Sequence, residues 1–592
     1  MSKTLKVFMV IILVVAVFIV AAFIWFDKNQ GKIAGNLIRE KFKTSAMSKV
    51  YHLDFSSLDL KIFSGKIVIH DFSFKPDSLI YQANDTLRLK YPLLIEAEVP
   101  LLSLYDLDVL ELLKNKKVII GGIEITNPAI RLIDHLTKEE KELRSKNYKP
   151  EPDTSAKKPN PINHLNLQYF RISGGSAEVY NRVTAKSIFK ADSIQLLLSD
   201  VLVDPEKPLN TILDKMYGSS TFEVGSVTLK NEKGFYDFEL GGVALNLAEN
   251  SLAINGLKLM PKYTKAQFGR KFGKQTDRFD AKVKSINIHG FDINRYLLSG
   301  GIKLQSVIVE GLNLEIHRDK NVPFDPTKFP KLPWQSLAQV KNYLQIDSIV
   351  VNNSSILYEE LAEGRPDAGR VPIGNVNISV LNVSNDSVFI AKNGPMTVQM
   401  KAKIFNQGDL LLNIEVPEDL TSSDFSFSGR VGPMDMRAFN SITELNVHVN
   451  IENGTLDSLV FWANANDIYA NGQLTMVYDS LKINVLKKDE EKTKLQEMGI
   501  VSWLGNQIVK SFNPAKDKPG NKPLVAEIFV ERDKNKSVFN YIVKAFISGI
   551  KGSLVPGIGQ SLKKYEKKKM KEAKQEEREK KRQVKKEKKQ GK

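Results

Sequence analysis

The stretch "VIVEGLNLEIHR", residues 307–318, sets apolar Val307 and Val309 before Gly311, and apolar Leu312, Leu314 and Ile316 after it. Alternation of period two is the signature of a strand with one buried face. Here the apolar positions change from odd to even at Gly311. In an uninterrupted strand that change would send Leu312 and Leu314 to the opposite face from Val307 and Val309. A bulge or bend at a residue that tolerates positive φ returns both pairs to one face.

The chain writes this pattern repeatedly: "IVIHDFSF" from Ile67, "IEITNPAIRL" from Ile123, "LLLSDVLV" from Leu196, "LAINGLKL" from Leu252, "INIHGFDI" from Ile286, "IVVNNSSILY" from Ile349, "VPIGNVNI" from Val371 and "VNIENGTL" from Val449. Apolar residues stand at offsets 0 and 2, Gly, Asn or Asp usually at offset 4, and a second apolar pair follows. The expectation is a mainly β chain with a curved antiparallel sheet and one continuous apolar face. A second layer over that face would make a sandwich or barrel. An uncovered face would be a groove in need of a ligand. Helical stretches able to cover so many strands are scarce between 51 and 485, which favours a groove or a self-closed sheet.

The 592 residues are 42% apolar and 26% charged, which fits a folded body and excludes both a wholly disordered chain and a many-span membrane protein. Of the net charge of +17, residues 561–592 supply +10, so a general nucleic-acid-binding surface is not implied. There is no cysteine, hence no disulfide, thiolate nucleophile or Cys-bound zinc.

"VFMVIILVVAVFIVAAFIWF", Val7–Phe26, is twenty uncharged apolar residues, enough at 1.5 Å per residue to cross a hydrocarbon core of roughly 30 Å. Lys3 and Lys6 precede it. The run exceeds a signal-peptide core, so an uncleaved single-pass anchor is expected, with the bulk of the chain translocated. "GKIAGNLIREKFKTSA", 31–46, reads as an amphipathic helix near the membrane. "LYDLDVLELLKNKK", 104–117, reads as a short side helix.

Nothing in the sequence argues for catalysis. The seven histidines are single, without metal-pair spacing, and no phosphate loop, dinucleotide fingerprint or nucleophile elbow occurs. Ser548 and Lys551 match a Ser-x-x-Lys spacing common enough to arise by chance. No catalytic residue, metal or cofactor is therefore expected. Near the C-terminus, Phe539, Ile542, Phe546 and Ile550 form a helical stripe that suits core packing or a membrane surface. The basic tail 561–592 is able to bind anionic head groups and, beyond Tyr565, carries no interleaved aromatics for nucleic acid.

With anchor, near-membrane helix and curved strands assembled, the sequence resembles the AsmA-like family of bacterial envelope proteins, relatives of chorein-type bridge lipid transporters. The resemblance is carried by "SSLDLKIFSGKIVIHDFSFKPDS" (56–78), by "VPLLSLYDLDVLELLKNKKVIIGGIEITNPAIRLI" (99–133), and by residues 425–488 with Gly429, Asn440, Gly454, Gly472 and Tyr478 at typical landmarks. It implies an inner-membrane protein whose periplasmic part is an elongated, taco-like β groove carrying phospholipids between inner and outer membranes. The candidates to line the groove are Ile67, Ile69, Ile123, Ile125, Leu252, Ile254, Ile286, Ile288, Val307, Val309, Leu312 and Leu314. An anchored scaffold or outer-membrane assembly factor is the alternative, with envelope proteins as partners. The expected organisation is an anchor (1–27), a near-membrane helix (28–50), an N-terminal AsmA-like β region (51–134), a flexible charged linker (135–163), a central β groove (164–424), an AsmA-like C-terminal β region (425–488), a helical segment (489–560) and the basic tail (561–592).

Overall fold

The computed structural model describes residues 31–61, 64–81, 89–115, 117–147, 164–203, 220–231, 234–447, 449–485, 509–516, 520–555 and 561–590. The expected anchor, Val7–Phe26, lies outside them, as do 148–163 of the charged linker. Among the described residues no helix is long and apolar enough to cross a membrane. The described residues are mainly β, 53% strand against 23% helix, and the 25 strands among them form mixed, largely antiparallel sheet.

Bends occur where the sequence pattern places them. Eight of the nine copies put the residue at offset 4 at positive φ: Asp71, Asn127, Asp200, Gly256, Gly290, Gly311, Asn353 and Asn375, with φ between 48° and 66°. In the ninth the special residue is Gly454, at φ 150°, one position later. The strand Val449–Ala465 shows what the bend accomplishes. Its buried residues run 449, 451, then 454, 456, then 459, 461, 463, 465, changing parity twice. Each change coincides with a register shift against Tyr469–Val485. Ile451, Leu456, Leu459 and Phe461 nevertheless enter one core. Likewise Ile67, Ile69 and Phe72, on both sides of Asp71, meet one core.

Asn375 isolates the backbone requirement, because it is exposed and sits at φ 48°. A β-branched side chain is strained there by about 1–3 kcal/mol, whereas glycine is not. Asn375→Val should therefore lower the denaturation midpoint while Asn375→Gly leaves it nearly unchanged. Equal midpoints for the two variants would refute the bend as a sequence-encoded device.

The chain divides into two compact units, Met1–Lys262 with Ala281–Val307, and Tyr263–Asp280 with Ile308–Lys592. In the first, the amphipathic helix Gly31–Lys43 lies against sheet: Phe42 is buried and Ile38 packs on the core. Arg39 fastens it, donating to Asp54 Oδ1 at 2.8 Å, with its guanidinium 4.2 Å from the Phe55 ring centroid. The side helix Val109–Asn115 adds buried Leu112 to the same core. Strands Lys117–Thr126 and Ala129–Asp134 both pair in parallel with His164–Asn181, while His164–Asn181 pairs antiparallel with Lys186–Val203 and Ser251–Pro261 antiparallel with Asp277–His289.

In the second unit the core gathers around Phe427, Phe461, Leu474 and Met476. Trp334 enters it, its indole N–H donating to the Ser422 carbonyl at 2.9 Å. The helix Val538–Leu554 covers it with Tyr541 and Ala545. Within the segment read from sequence as helical, Val525–Glu531 is instead a strand, paired with Tyr469–Val485. Its run of Ala526, Ile528 and Val530 alternates like the other strands but is too short to stand out. The charged linker opens with the helix Lys138–Asn147, and the basic tail is a helix, Leu562–Gln590.

Candidate functional site

Cross-strand partners share a face of the sheet, so rows of partners trace what lines that face. In the first unit one row runs through Leu58, Ile69, Leu102, Ile125, Ile172, Leu196, Phe222, Leu245, Leu252 and Ile288, across ten strands without a polar interruption. A second passes from Leu132 through Val179, Phe189, Leu229, Phe238 and Leu259 to Ala281. Their burial changes along the way. Leu58, Ile69, Leu102 and Ile172 are buried in a closed core, whereas Leu196, Phe222, Leu245, Leu252 and Ile288 are all partly exposed. Leu229 and Phe238 are 40% and 39% exposed. None of Phe222, Leu245, Leu252 and Ile288 belongs to a buried cluster.

The second unit repeats the arrangement in the opposite chain direction. Val351, Ile378, Met400 and Leu412 form a partly exposed row that continues through Gly429 to buried Phe461 and Leu474. Leu314 and Ile316 pair with Ile356 and Tyr358 in a parallel ladder and are also partly exposed. On this face the row ends in polar pairs: Arg318 donates two hydrogen bonds of 2.7 Å to Asp277, and Tyr358 Oη donates to Glu360 at 2.9 Å.

The reverse face of the same strands is covered, and covered by charge. Glu359, 2% exposed, accepts from Lys265 Nζ and pairs with Arg370 Nε at 3.0 Å, with His317 Nδ1 3.4 Å away. Lys265 also meets Glu315 at 3.0 Å. Burial works against the Glu359 charge, but the Lys265 hydrogen bond and the neighbouring cations outweigh it and hold the carboxyl below its ordinary value. Burial likewise holds the His317 imidazole down, against the pull of Glu359. Lys265 begins the helix Lys265–Phe272, whose Phe268 is buried. That helix is thus bound to the polar side of its sheet by ion pairs. The apolar side is the one left partly open.

The residues predicted to line a groove fall into two sets. Ile67, Ile69 and Ile123 are buried in the closed core beneath the Gly31–Lys43 helix, and Ile125 packs at its margin. Leu252, Ile254, Ile286, Ile288, Val307, Val309, Leu312 and Leu314 are partly exposed strand or bend positions. Phe222, Leu229, Phe238 and Leu245 join them; their strands are four or five residues long, too short to display the repeat. In the C-terminal helix Ile542, Phe546 and Ile550 pack against the core, while Phe539 is 59% exposed. The helix also meets the sheet along buried Tyr541, Ala545, Gly549 and Ser553, the last three of them small residues that an apolar-stripe reading passes over. Ser548 serves the backbone: its hydroxyl accepts from the Phe529 N–H and donates to the Phe529 carbonyl.

A partly open apolar face of this extent can hold long hydrocarbon by burial alone, at about 0.8 kcal/mol per CH₂, without polar contacts along the chain. Among the described residues no three His, Asp or Glu side chains stand close enough together to hold a metal ion. Neither a protein-family model nor a curated protein matches this chain.

Proposed function

We propose that the chain is a membrane-anchored conduit that carries phospholipids along apolar β grooves. The observation that carries the reading is the row Phe222, Leu245, Leu252 and Ile288, which continues from a closed core through Leu196 yet is partly exposed and belongs to no buried cluster. A soluble body does not keep such a surface bare, and an acyl chain laid along it replaces the missing layer. Support also comes from the twenty-residue apolar run Val7–Phe26, which would tether the conduit to a bilayer, and from the resemblance to AsmA-like envelope proteins. On this reading the anchor lies in the inner membrane, the β body is an elongated, taco-like periplasmic groove, and the cargo passes between inner and outer membranes. Head groups stay in water while only chains enter the groove, so no catalytic group is required.

Photo-crosslinking side chains at Ile288, Val309 and Leu314 in cells test it. Lipid adducts are expected at all three, and none at Lys258, an exposed residue facing away from Leu257 and Leu259 in its strand. Absence of lipid at the three sites, or equal labelling at Lys258, would sink the conduit and leave the scaffold reading.

A further inference from the structure

We propose that the C-terminal helix Leu562–Gln590 docks on an anionic lipid surface through one face that is cationic apart from Gln575 and carries no acidic residue. The proposal rests on the conduit reading, since a conduit must meet a bilayer where lipid enters or leaves. At 100° per residue, Lys563, Lys564, Lys567, Lys568, Lys571, Lys574 and Arg578 all fall within an arc of about 140°. No glutamate falls there. Glu566, Glu572, Glu576, Glu577 and Glu579 all fall on the remaining arc, with Leu562 and Tyr565. In sequence the spacing continues through Lys581, Arg582, Lys585, Lys586 and Lys589, and Glu587 is again off the arc. The seven basic residues of the arc from Lys563 to Arg578 are all exposed.

The root of the helix is fixed with the cationic arc turned outward. Tyr565 packs 5.3 Å from Phe529 and 5.7 Å from Tyr469 between ring centroids, and the Leu562 N–H donates to Glu527 Oε1 at 2.9 Å. Tyr565 is off the cationic arc, on the side that carries the glutamates together with Lys569, so the body is met by the mixed-charge face. The helix is 29 residues, about 43 Å at 1.5 Å per residue.

A straight, single-signed face with no apolar stripe suits a plane of head-group phosphates, which attracts each basic residue independently and needs no pocket. Nucleic acid is the less favoured polyanion. Tyr565 is the only aromatic residue in the helix, and its ring is engaged by Phe529, leaving none to stack on bases. Because the charges are exposed, the attraction is expected to vanish once salt shortens the screening length to a few ångströms.

The test holds the full chain in neutral phosphatidylcholine nanodiscs and measures capture of a second population of vesicles. Phosphatidylglycerol-containing vesicles should be captured about tenfold or more over pure phosphatidylcholine, and roughly 0.5 M salt should abolish the difference. Replacing Lys563, Lys567, Lys571 and Lys574 with Gln should remove capture. A charge-matched variant with Gln at Lys569, Lys580, Lys282 and Lys284, all off the arc, should retain it. Equal capture of neutral vesicles, equal loss in both variants, or displacement by duplex DNA at matched charge would each overturn the proposal. The conduit is judged separately by crosslinking at Ile288, which a failed capture leaves intact.

Discussion

Leu102→Asp and Leu252→Asp, two substitutions on one cross-strand row, are expected to fail in opposite ways. Leu102 is 3% exposed, locked among Ile69, Leu104 and Ile125. Its replacement forfeits about 2–3 kcal/mol of apolar burial and strands a carboxylate, which costs several kcal/mol more or forces the group to take up a proton. The first unit should then open to protease under native conditions. Leu252 faces Leu245 and Ile288 with its side chain partly in water. An aspartate there keeps its hydration in the empty protein, and stability should change by no more than about 1 kcal/mol.

Lipid occupancy should respond in the reverse order. An acyl chain crossing Leu252→Asp must lie against a charge, a penalty of about 2.5–3.5 kcal/mol by analogy with an aspartate in a membrane helix, equivalent to roughly a hundredfold in affinity. Native mass spectrometry of copurified lipid, with limited proteolysis on the same samples, reads both effects. If Leu252→Asp unfolds the first unit as Leu102→Asp does, the row is covered by protein at that point and there is no lining to block. If it folds and holds lipid normally, the cargo runs elsewhere.

Much of the sheet was legible because its grammar is local. A left-handed residue in a strand must be Gly, Asn or Asp to be cheap, and those residues between apolar pairs mark bends at Asp71, Gly256 and Asn353 without tertiary knowledge. The same geometry at Ser193 and Ser480 was not legible. Serine carries no such preference, and there the surrounding ladder imposes the conformation. Burial was less legible still. Ile69 and Ile288 occupy equivalent positions in copies of one pattern, yet one is buried and the other partly exposed. What separates them is the Gly31–Lys43 helix and its neighbours, distant in sequence, and no local period reports a distant cover. In the helix Val538–Leu554 the apolar stripe was legible but the tightest contact was not. Ile542 and Phe546 pack on the core, yet closest approach to a sheet selects small residues, so Ala545 and Gly549 sit nearest to it.

Gly549 is accordingly where the cap of the second unit should be most easily lifted. A Cβ there would stand 2.7 Å from Leu474 Cβ and 2.9 Å from Ile528 Cγ1, and both neighbours are fully buried. Neither is the free end of a flexible side chain, so the helix must move rather than they. For Gly549→Ala the gain in helix propensity, about 1 kcal/mol, opposes an overpacking cost of about 1–3 kcal/mol. Gly549→Leu adds three more heavy atoms with no space, and the helix should detach from its sheet. Two units make a single unfolding midpoint ambiguous, so the measurement is local. The Phe529 amide, whose N–H donates to Ser548 Oγ at 3.2 Å, should lose hydrogen-exchange protection by at least about a hundredfold if the contact costs roughly 3 kcal/mol. Phe461, which meets Phe546 edge-on at 5.3 Å, would lose its cover together with Leu474. A partly open row that ended at a closed core would then run open to the end of its sheet. Ile547→Ala, at a position 43% exposed, changes the same helix on its outer side and should leave Phe529 protected. Protection retained in Gly549→Leu would mean that the helix is not seated on Leu474 and Ile528, and that the second unit's core is closed by something other than this contact.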